Sequence, residues 1–370
     1  TGNIGRKHGG LFALTEHNNL QGTCDMGMMP DRLPGYFPVG DRGARERLAS
    51  LWGGRPLPSA PGLGAREVFG GGADGRVRGV WLTRYDPVTT AAFVDAAGSL
   101  GAMDLVVVQH IFRTETARHA HVILPVVAFG EEEVTFTSTE RRIQLARRVL
   151  DPPEGPRPAW RQIAEVGRAL GADWEYASSA DVMGEIGEAV PIYGGASHEN
   201  LSREYGRQWP CTKDRPLGTT FLFEEGIGGK PFAFAPVKKP EGQMIPPEAY
   251  PFALIFGHSL YYWHRNVLVM HSETLRRELR VLLLDYPDGF VEMNEDDARR
   301  LGIRDGAAIR LCAERGCAMT AARVTREVRP GTVFVPYFLR EVEKAILGEE
   351  PLDLGHQGRP VFVSIEGASE

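Results

Sequence analysis

Histidines, acids and thiols are the groups from which this chain could draw chemistry, and their spacing limits what that chemistry is. His258, His264 and His271 lie six and seven residues apart. Imidazole is a common metal ligand, but this spacing on a strand and turn matches no compact metal site, so packing or hydrogen-bonding roles are expected. Glu131, Glu132 and Glu133 have the composition of a general-base cluster, yet a run of acids is usually a solvated face. Cys24, Cys211, Cys312 and Cys317 are too few and too widely spread for a disulfide framework or a CxxC metal site, and read as ordinary thiols of a reducing compartment. Such spacing cannot build an iron–sulfur cluster from this chain alone. Gly70, Gly71 and Gly72 lack the Lys and the strand-turn-helix setting of a phosphate loop and read as a flexible turn.

Stronger candidates come from position. From about Val77 a short apolar run closes at Asp86-Pro87, an amphipathic stretch follows from Thr90 to Leu100, and a second run from Leu105 closes at Gln109-His110. Strand, helix, strand implies a parallel sheet buried on both faces. Asp86, Gln109 and His110 then fall at its carboxyl edge, where open α/β sheets bind ligands. Thr114 to His121 predicts a short helix, Val122 to Phe129 a strand, and Trp160 to Leu170 an amphipathic helix after a Pro-rich linker. Residues 1–60 read as loop-dominated and residues 185–250 as irregular. From Tyr250 onward, short β-rich segments alternate with Gly and Asp turns, and Asp297 to Leu311 reads as helix, turn and strand, the texture of a small β barrel.

With 370 residues, 42% of them hydrophobic, the chain is long enough for two or three domains. No apolar run approaches the length that spans a bilayer, so membrane contact is expected only through partners. The net charge of −6 is mild, and Lys and Arg are scattered among the acids, which argues against nucleic acid as a ligand. The opening TGNIGRKHGG looks like a loop leaving a helix rather than a signal peptide, and the chain reads as beginning inside a domain.

Four segments, HNNLQGTCDMG (His17 to Gly27), TFTSTERRIQ (Thr135 to Gln144), QWPC (Gln208 to Cys211) and LYYWHR (Leu260 to Arg265), resemble the C-terminal half of formate dehydrogenase large subunits in the molybdopterin oxidoreductase superfamily. The resemblance runs in order over nearly the whole chain. It implies an α/β fold, a partial parallel α/β sheet domain followed by a C-terminal six-stranded barrel of double-psi type. It divides the chain into 1–17, the tail of a preceding α/β domain, 18–128, part of an α/β domain, 129–247, an irregular connecting region, and 248–370, a dinucleotide-binding barrel.

The resemblance also implies a site. Thr15 and His17 occupy the positions where formate dehydrogenases carry an Arg and a Gln that clamp the substrate carboxylate, and a Thr hydroxyl supplies neither charge nor a bidentate fork. The arms of a bis-molybdopterin guanine dinucleotide cofactor carrying Mo or W are expected at Asp86, Thr90, Gln109 and His110, and along Gly257, His258, Leu260, Tyr261, Tyr262, Trp263 and His264. Several positions depart from the family pattern: His110 replaces an acid, Glu131 to Glu133 cover a usual Lys, Ala159 replaces an acid before a helical Trp, and Phe256-Gly257-His258 replaces Thr-Gly-Arg. Ala345 and the short tail fall where an Asn and a late Lys are expected.

The chain supplies no catalytic residue and no metal ligand of its own. Iron–sulfur clusters and the metal ligand are expected upstream or in a separate chain, with further redox-complex subunits as partners. The expected location is cytoplasmic, reaching the inner face of a membrane through those partners. Three functions fit: a scaffold with a degenerate site in an electron-transfer complex, like the large iron–sulfur subunit of respiratory complex I (NADH-quinone oxidoreductase); the C-terminal half of a working formate dehydrogenase or relative; and an interaction module without a redox role.

Overall fold

The computed structural model describes residues 2–15, 17–90, 95–203, 205–224, 226, 233, 235–236, 245–257, 271–274, 284–287, 289–336, 339–347 and 361–367. The first 60 residues are more ordered than their Gly and Pro content suggests. They hold α1 (Leu20–Asp25), the short antiparallel pair β1 (Arg32–Leu33) and β2 (Phe37–Pro38), and α2 (Arg42–Leu51), which Asp41 caps by accepting from the Ala44 amide at 2.9 Å. Leu48 of α2 is fully buried, so tertiary packing makes a helix that composition obscured.

Next come α3 (Ala65–Ala73), β3 (Gly79–Thr83), α4 (Pro87–Thr90), α5 (Ala96–Gly101), β4 (Leu105–His110) and β5 (Val122–Pro125). The three strands pair in parallel in the order β3-β4-β5, as the strand-helix-strand pattern predicts. Only a 3₁₀ turn, Thr116–His119, stands where a short helix was expected. The triplet Gly70, Gly71 and Gly72 is not a flexible turn: it lies inside α3, where α5 passes close by. A Cβ at Gly72 would stand 2.4 Å from Met103 Cε and 3.1 Å from the Ser99 carbonyl oxygen. Phe69, Leu82, Leu100, Val106 and Val108 form the core of this unit.

The stretch from 129, including the part read as irregular from 185, carries β6 (Val134–Thr137), β7 (Arg142–Ala146), α6 (Ala159–Ala169), α7 (Ser179–Ala189), a 3₁₀ turn at Pro191–Tyr193, α8 (His198–Arg203) and β8 (Arg207–Gln208). The antiparallel order β6-β7-β8 brings the TFTSTERRIQ and QWPC segments side by side, with Arg142 opposite Gln208. The two-residue β8 is ordered by this long-range pairing, which local periodicity does not report. Leu48, Ile143, Met183, Tyr193 and Cys211 are buried together beneath this sheet.

From residue 252, β9 (Phe252–Gly257), β10 (Phe290–Asn294), β11 (Ala308–Ala313), β12 (Gly316–Thr325), β13 (Thr332–Pro336) and β14 (Val361–Gly367) close a barrel in the order β10-β12-β11-β14-β9-β13. Two further helices belong to it, α9 (Glu295–Leu301) and α10 (Arg340–Leu347). Asn294 caps α9 through the Asp296 amide at 2.8 Å, and acids fill the first turn while Arg299 and Arg300 fill the last, as the helix dipole favours. Two of the four cysteines are not free. Cys312 and Cys317 face each other across the β11–β12 hairpin and form a disulfide, since hairpin register places residues five apart as direct neighbours. Cys24 and Cys211 remain thiols.

Candidate functional site

The carboxyl edge of β3-β4-β5 carries the expected cofactor residues. After β3 the chain turns at Arg84, whose φ of 53° is left-handed and costs a non-glycine residue about 1 kcal/mol or more. The turn delivers Asp86 to the interior, where it is 2% exposed. Its carboxylate accepts from the Thr116 amide at 3.2 Å and from the Thr116 hydroxyl. Its backbone carbonyl accepts from the Thr90 amide at 2.9 Å and the Thr90 hydroxyl at 2.7 Å. Asp86 and Thr90 therefore come together, but they bind each other and the 3₁₀ turn.

Gln109, on β4, is fully buried. Its amide donates to Gln162 Oε1 at 2.8 Å and the Ala159 carbonyl at 3.1 Å, and its Oε1 accepts from the Thr83 hydroxyl at 3.1 Å. His110, 6% exposed, accepts at Nδ1 from the Phe112 amide at 2.9 Å. The same Nδ1 lies 3.1 Å from the Phe112 carbonyl oxygen, and burial pushes the imidazole pKa down, which favours the neutral ring. The Phe112 ring in turn stacks on His271 with centroids 4.9 Å apart.

The acidic run is not a solvated face. Glu132 is 7% exposed and pairs with Arg84, which also donates to the Val127 carbonyl at 3.2 Å. Glu131 caps the Ala128 amide at 2.7 Å, and Glu133 meets His198 Nδ1 at 2.8 Å. Each acid has a specific partner, so the run ties the sheet edge to the middle of the chain. Sequence reading missed Arg84; a bulky residue two positions before Asp86, at the end of a parallel strand, was the available signal.

Thr15 and His17 lie elsewhere, on the exposed N-terminal loop. The Thr15 hydroxyl bonds the His17 carbonyl at 3.1 Å and lies 3.5 Å from the Thr139 hydroxyl in the β6–β7 turn. Just beyond them the HNNLQGTCD segment locks onto β6. Asn19 Oδ1 accepts from the Thr137 amide, the Thr137 and Tyr193 hydroxyls bond each other, and Tyr193 donates to Asp25, each at 2.8 Å. Burial pushes the Asp25 pKa up against the opposing Tyr193 hydrogen bond, and burial likewise raises that of Tyr193. A cavity of about 80 Å³ lined by Asn19, Met26, Thr135, Thr137 and Tyr193 adjoins this network. Tyr193 went unnoticed in the sequence because it stands in a segment without periodicity.

Of the second expected cofactor segment, Gly257 closes β9, and a Cβ there would lie 2.5 Å from the Phe334 ring, which would have to shift to admit it. His258, Leu260, Tyr261, Tyr262, Trp263 and His264 fall outside the described residues. At the sheet edge Asp86, Gln109 and His110 each hold a partner within the chain.

Residues 1–169 match the molybdopterin oxidoreductase family and residues 252–348 the molybdopterin dinucleotide binding domain. The chain belongs to the molybdopterin oxidoreductase family. Within it the chain is formate-dehydrogenase-like. It is 33% identical to the alpha subunit of F420-dependent formate dehydrogenase 2 from Methanococcus maripaludis, over 92% of this chain and 50% of that protein. It is 31% identical to formate dehydrogenase H from Escherichia coli, over 91% of this chain and 47% of that protein. Acetylene hydratase from Pelobacter acetylenicus shares the fold at a TM-score of 0.53 and 16% identity, covering 89% of this chain and 50% of its own. The chain spans about half the length of these relatives. Among the described residues no helix is long and apolar enough to cross a membrane.

Proposed function

We propose that this chain is the C-terminal part of a molybdopterin-family redox subunit acting in electron transfer, a formate-dehydrogenase-like scaffold whose substrate and cofactor sites are degenerate, in the manner of the large iron–sulfur subunit of respiratory complex I. The observation that carries the proposal is where the polar groups point. Asp86, Gln109 and His110 are buried and bonded within the protein, and Thr15 brings no charge to the clamp position. A carboxylate substrate needs a fixed cation, and a hydroxyl already bonded to its own loop does not replace one. Iron–sulfur clusters and the ligand of any Mo or W ion belong, on this reading, to the half of the subunit that this chain does not span. Other redox subunits complete the complex and hold it on the cytoplasmic side of a membrane; nucleic acid has no part in it.

The test is the molybdenum, tungsten, pterin and iron content of the intact complex from its native host. Iron without molybdenum, tungsten or pterin is the expected result. Stoichiometric metal and pterin would overturn the proposal in favour of a second reading, the C-terminal half of an active bis-molybdopterin guanine dinucleotide enzyme. That reading draws support from the identity to formate dehydrogenases along nine-tenths of the chain. In that case Thr15→Arg in the metal-loaded protein should create or raise formate turnover, and no change would remove Thr15 from the substrate clamp.

A further inference from the structure

Among the described residues, one face of the sheet β6-β7-β8 packs into the core and the other is only partly covered. Thr137 and Ile143 point into the core with Met183 and Tyr193. The alternate residues of the hairpin, Val134, Phe136, Gln144 and Ala146, face the other way and are only half-buried. Phe129 lies edge-to-face on Phe136 with centroids 5.9 Å apart, yet remains 65% exposed, and Val149 and Leu150 beside it are 77% and 60% exposed. Between them opens a cavity of about 260 Å³ whose wall combines Phe129, Phe136 and Ala146 with the polar Asn18, Ser138 and Gln144. The N-terminal loop that leads to Asn18 leaves Leu11 93%, Phe12 63% and Leu14 89% exposed. Large apolar side chains gathered around a cavity mark an interaction surface rather than ordinary surface scatter. A sheet buries each apolar face against a further layer, and among the described residues only the Ile143 face of this one has it.

We propose that this face is the docking surface for the half of a formate-dehydrogenase-like subunit that the relatives contain and this chain does not span. The inference rests on the family reading above and names the contact. Length argues for this occupant: the relatives match this chain along nine-tenths of its residues and then hold as many residues again. The partly covered face adjoins Thr15 and Thr139, so the same contact sets the N-terminal loop against whatever site that half carries. Its centre is aromatic and its rim polar, the anatomy of a specific interface.

The experiment places the photocrosslinker p-benzoylphenylalanine at Phe129 and, separately, at Val149 in the intact complex from its native host, and identifies the captured peptides. Peptides from the half outside this chain are expected. Capture of a second copy of this chain or of an unrelated protein, or no capture at either position, would overturn the assignment. Phe129 is exposed, so Phe129→Glu should fold normally by circular dichroism. At the centre of an interface it should weaken the contact on the order of thirtyfold, read as loss of the Val149 crosslink. An unchanged crosslink yield in that variant would also sink the proposal. Metal and pterin content decides the functional reading independently, so a complex rich in molybdenum can still confirm this surface and one without it can still refute it.

Discussion

The barrel and the hairpin sheet face the same demand, to bury apolar surface on their sheets, and meet it in opposite ways. Each barrel strand has two neighbours, and Phe252, Phe290, Met293, Ile309, Leu311 and Val333 fill the interior with almost no exposure. Closure removes the edges and makes the unit self-sufficient. The hairpin sheet has Ile143 sealed beneath it and Phe129 exposed above it. The residues expected to meet substrate, Thr15 and His17, hang from that half-covered region rather than from the closed one. Burial is thus most complete in the closed barrel, while Thr15 and His17 hang from a sheet whose outer face is only half-buried.

The sharpest way to break this comparison is to damage each core in turn. Leu311→Ala empties a fully buried barrel position and should cost about 3 kcal/mol, seen in urea denaturation as an earlier barrel transition while the transition of the α/β part stays in place. If both transitions shift together, the barrel is not autonomous and the contrast fails. A smaller effect is expected at the hairpin staple. Cys312→Ser opens a short loop and should remove about 2 kcal/mol from the barrel transition alone, with a matching loss when the wild type is reduced. Free thiols at both positions in the native protein would rule the staple out.

The same contrast explains what the sequence disclosed. The barrel was legible because its signals are local: short β-rich segments bounded by Gly and Asp turns, and the helix, turn and strand of Asp297 to Leu311. The parallel sheet was legible for the same reason, from Val106 to Val108 and the polar residues that follow. Hidden features were those created by distance along the chain. The two-residue β8 exists only because β7 pairs with it, and Glu132 is buried only because Arg84 returns from another strand to meet it. The Cys312–Cys317 bond was missed for a different reason: counting cysteines does not reveal that a hairpin register places two of them opposite each other. Asp86, Gln109 and His110 fall at the sheet edge as the strand pattern predicts, but which way their polar atoms turn depends on Thr116, Gln162 and Phe112, whose roles no motif announces.

Weaker perturbations sharpen the picture of the half-covered region. Tyr193→Phe keeps the ring and deletes the hydroxyl that joins Thr137 to Asp25, so it should cost about 1.5 kcal/mol and raise amide exchange in residues 17–25. Unchanged exchange would show that the loop is held by packing instead.

The smallest effect is expected at Asp25 itself and turns on sign. Burial raises its pKa above the ordinary 3.8, so in the window above 3.8 the folded protein holds a proton that the unfolded chain has released. Its favourable contribution is complete below 3.8 and is lost as pH rises through the folded value. At neutral pH the wild type therefore bears a buried carboxylate that Asp25→Asn does not, while the new amide oxygen can still accept from Tyr193. The substitution should raise the urea midpoint at neutral pH, and the advantage should shrink steadily as the pH is lowered toward 3.8. A destabilised variant at neutral pH would mean that the charge is in use. In the intact complex that result would place a cation from the docked half beside Asp25, making the cavity under the loop part of the interface.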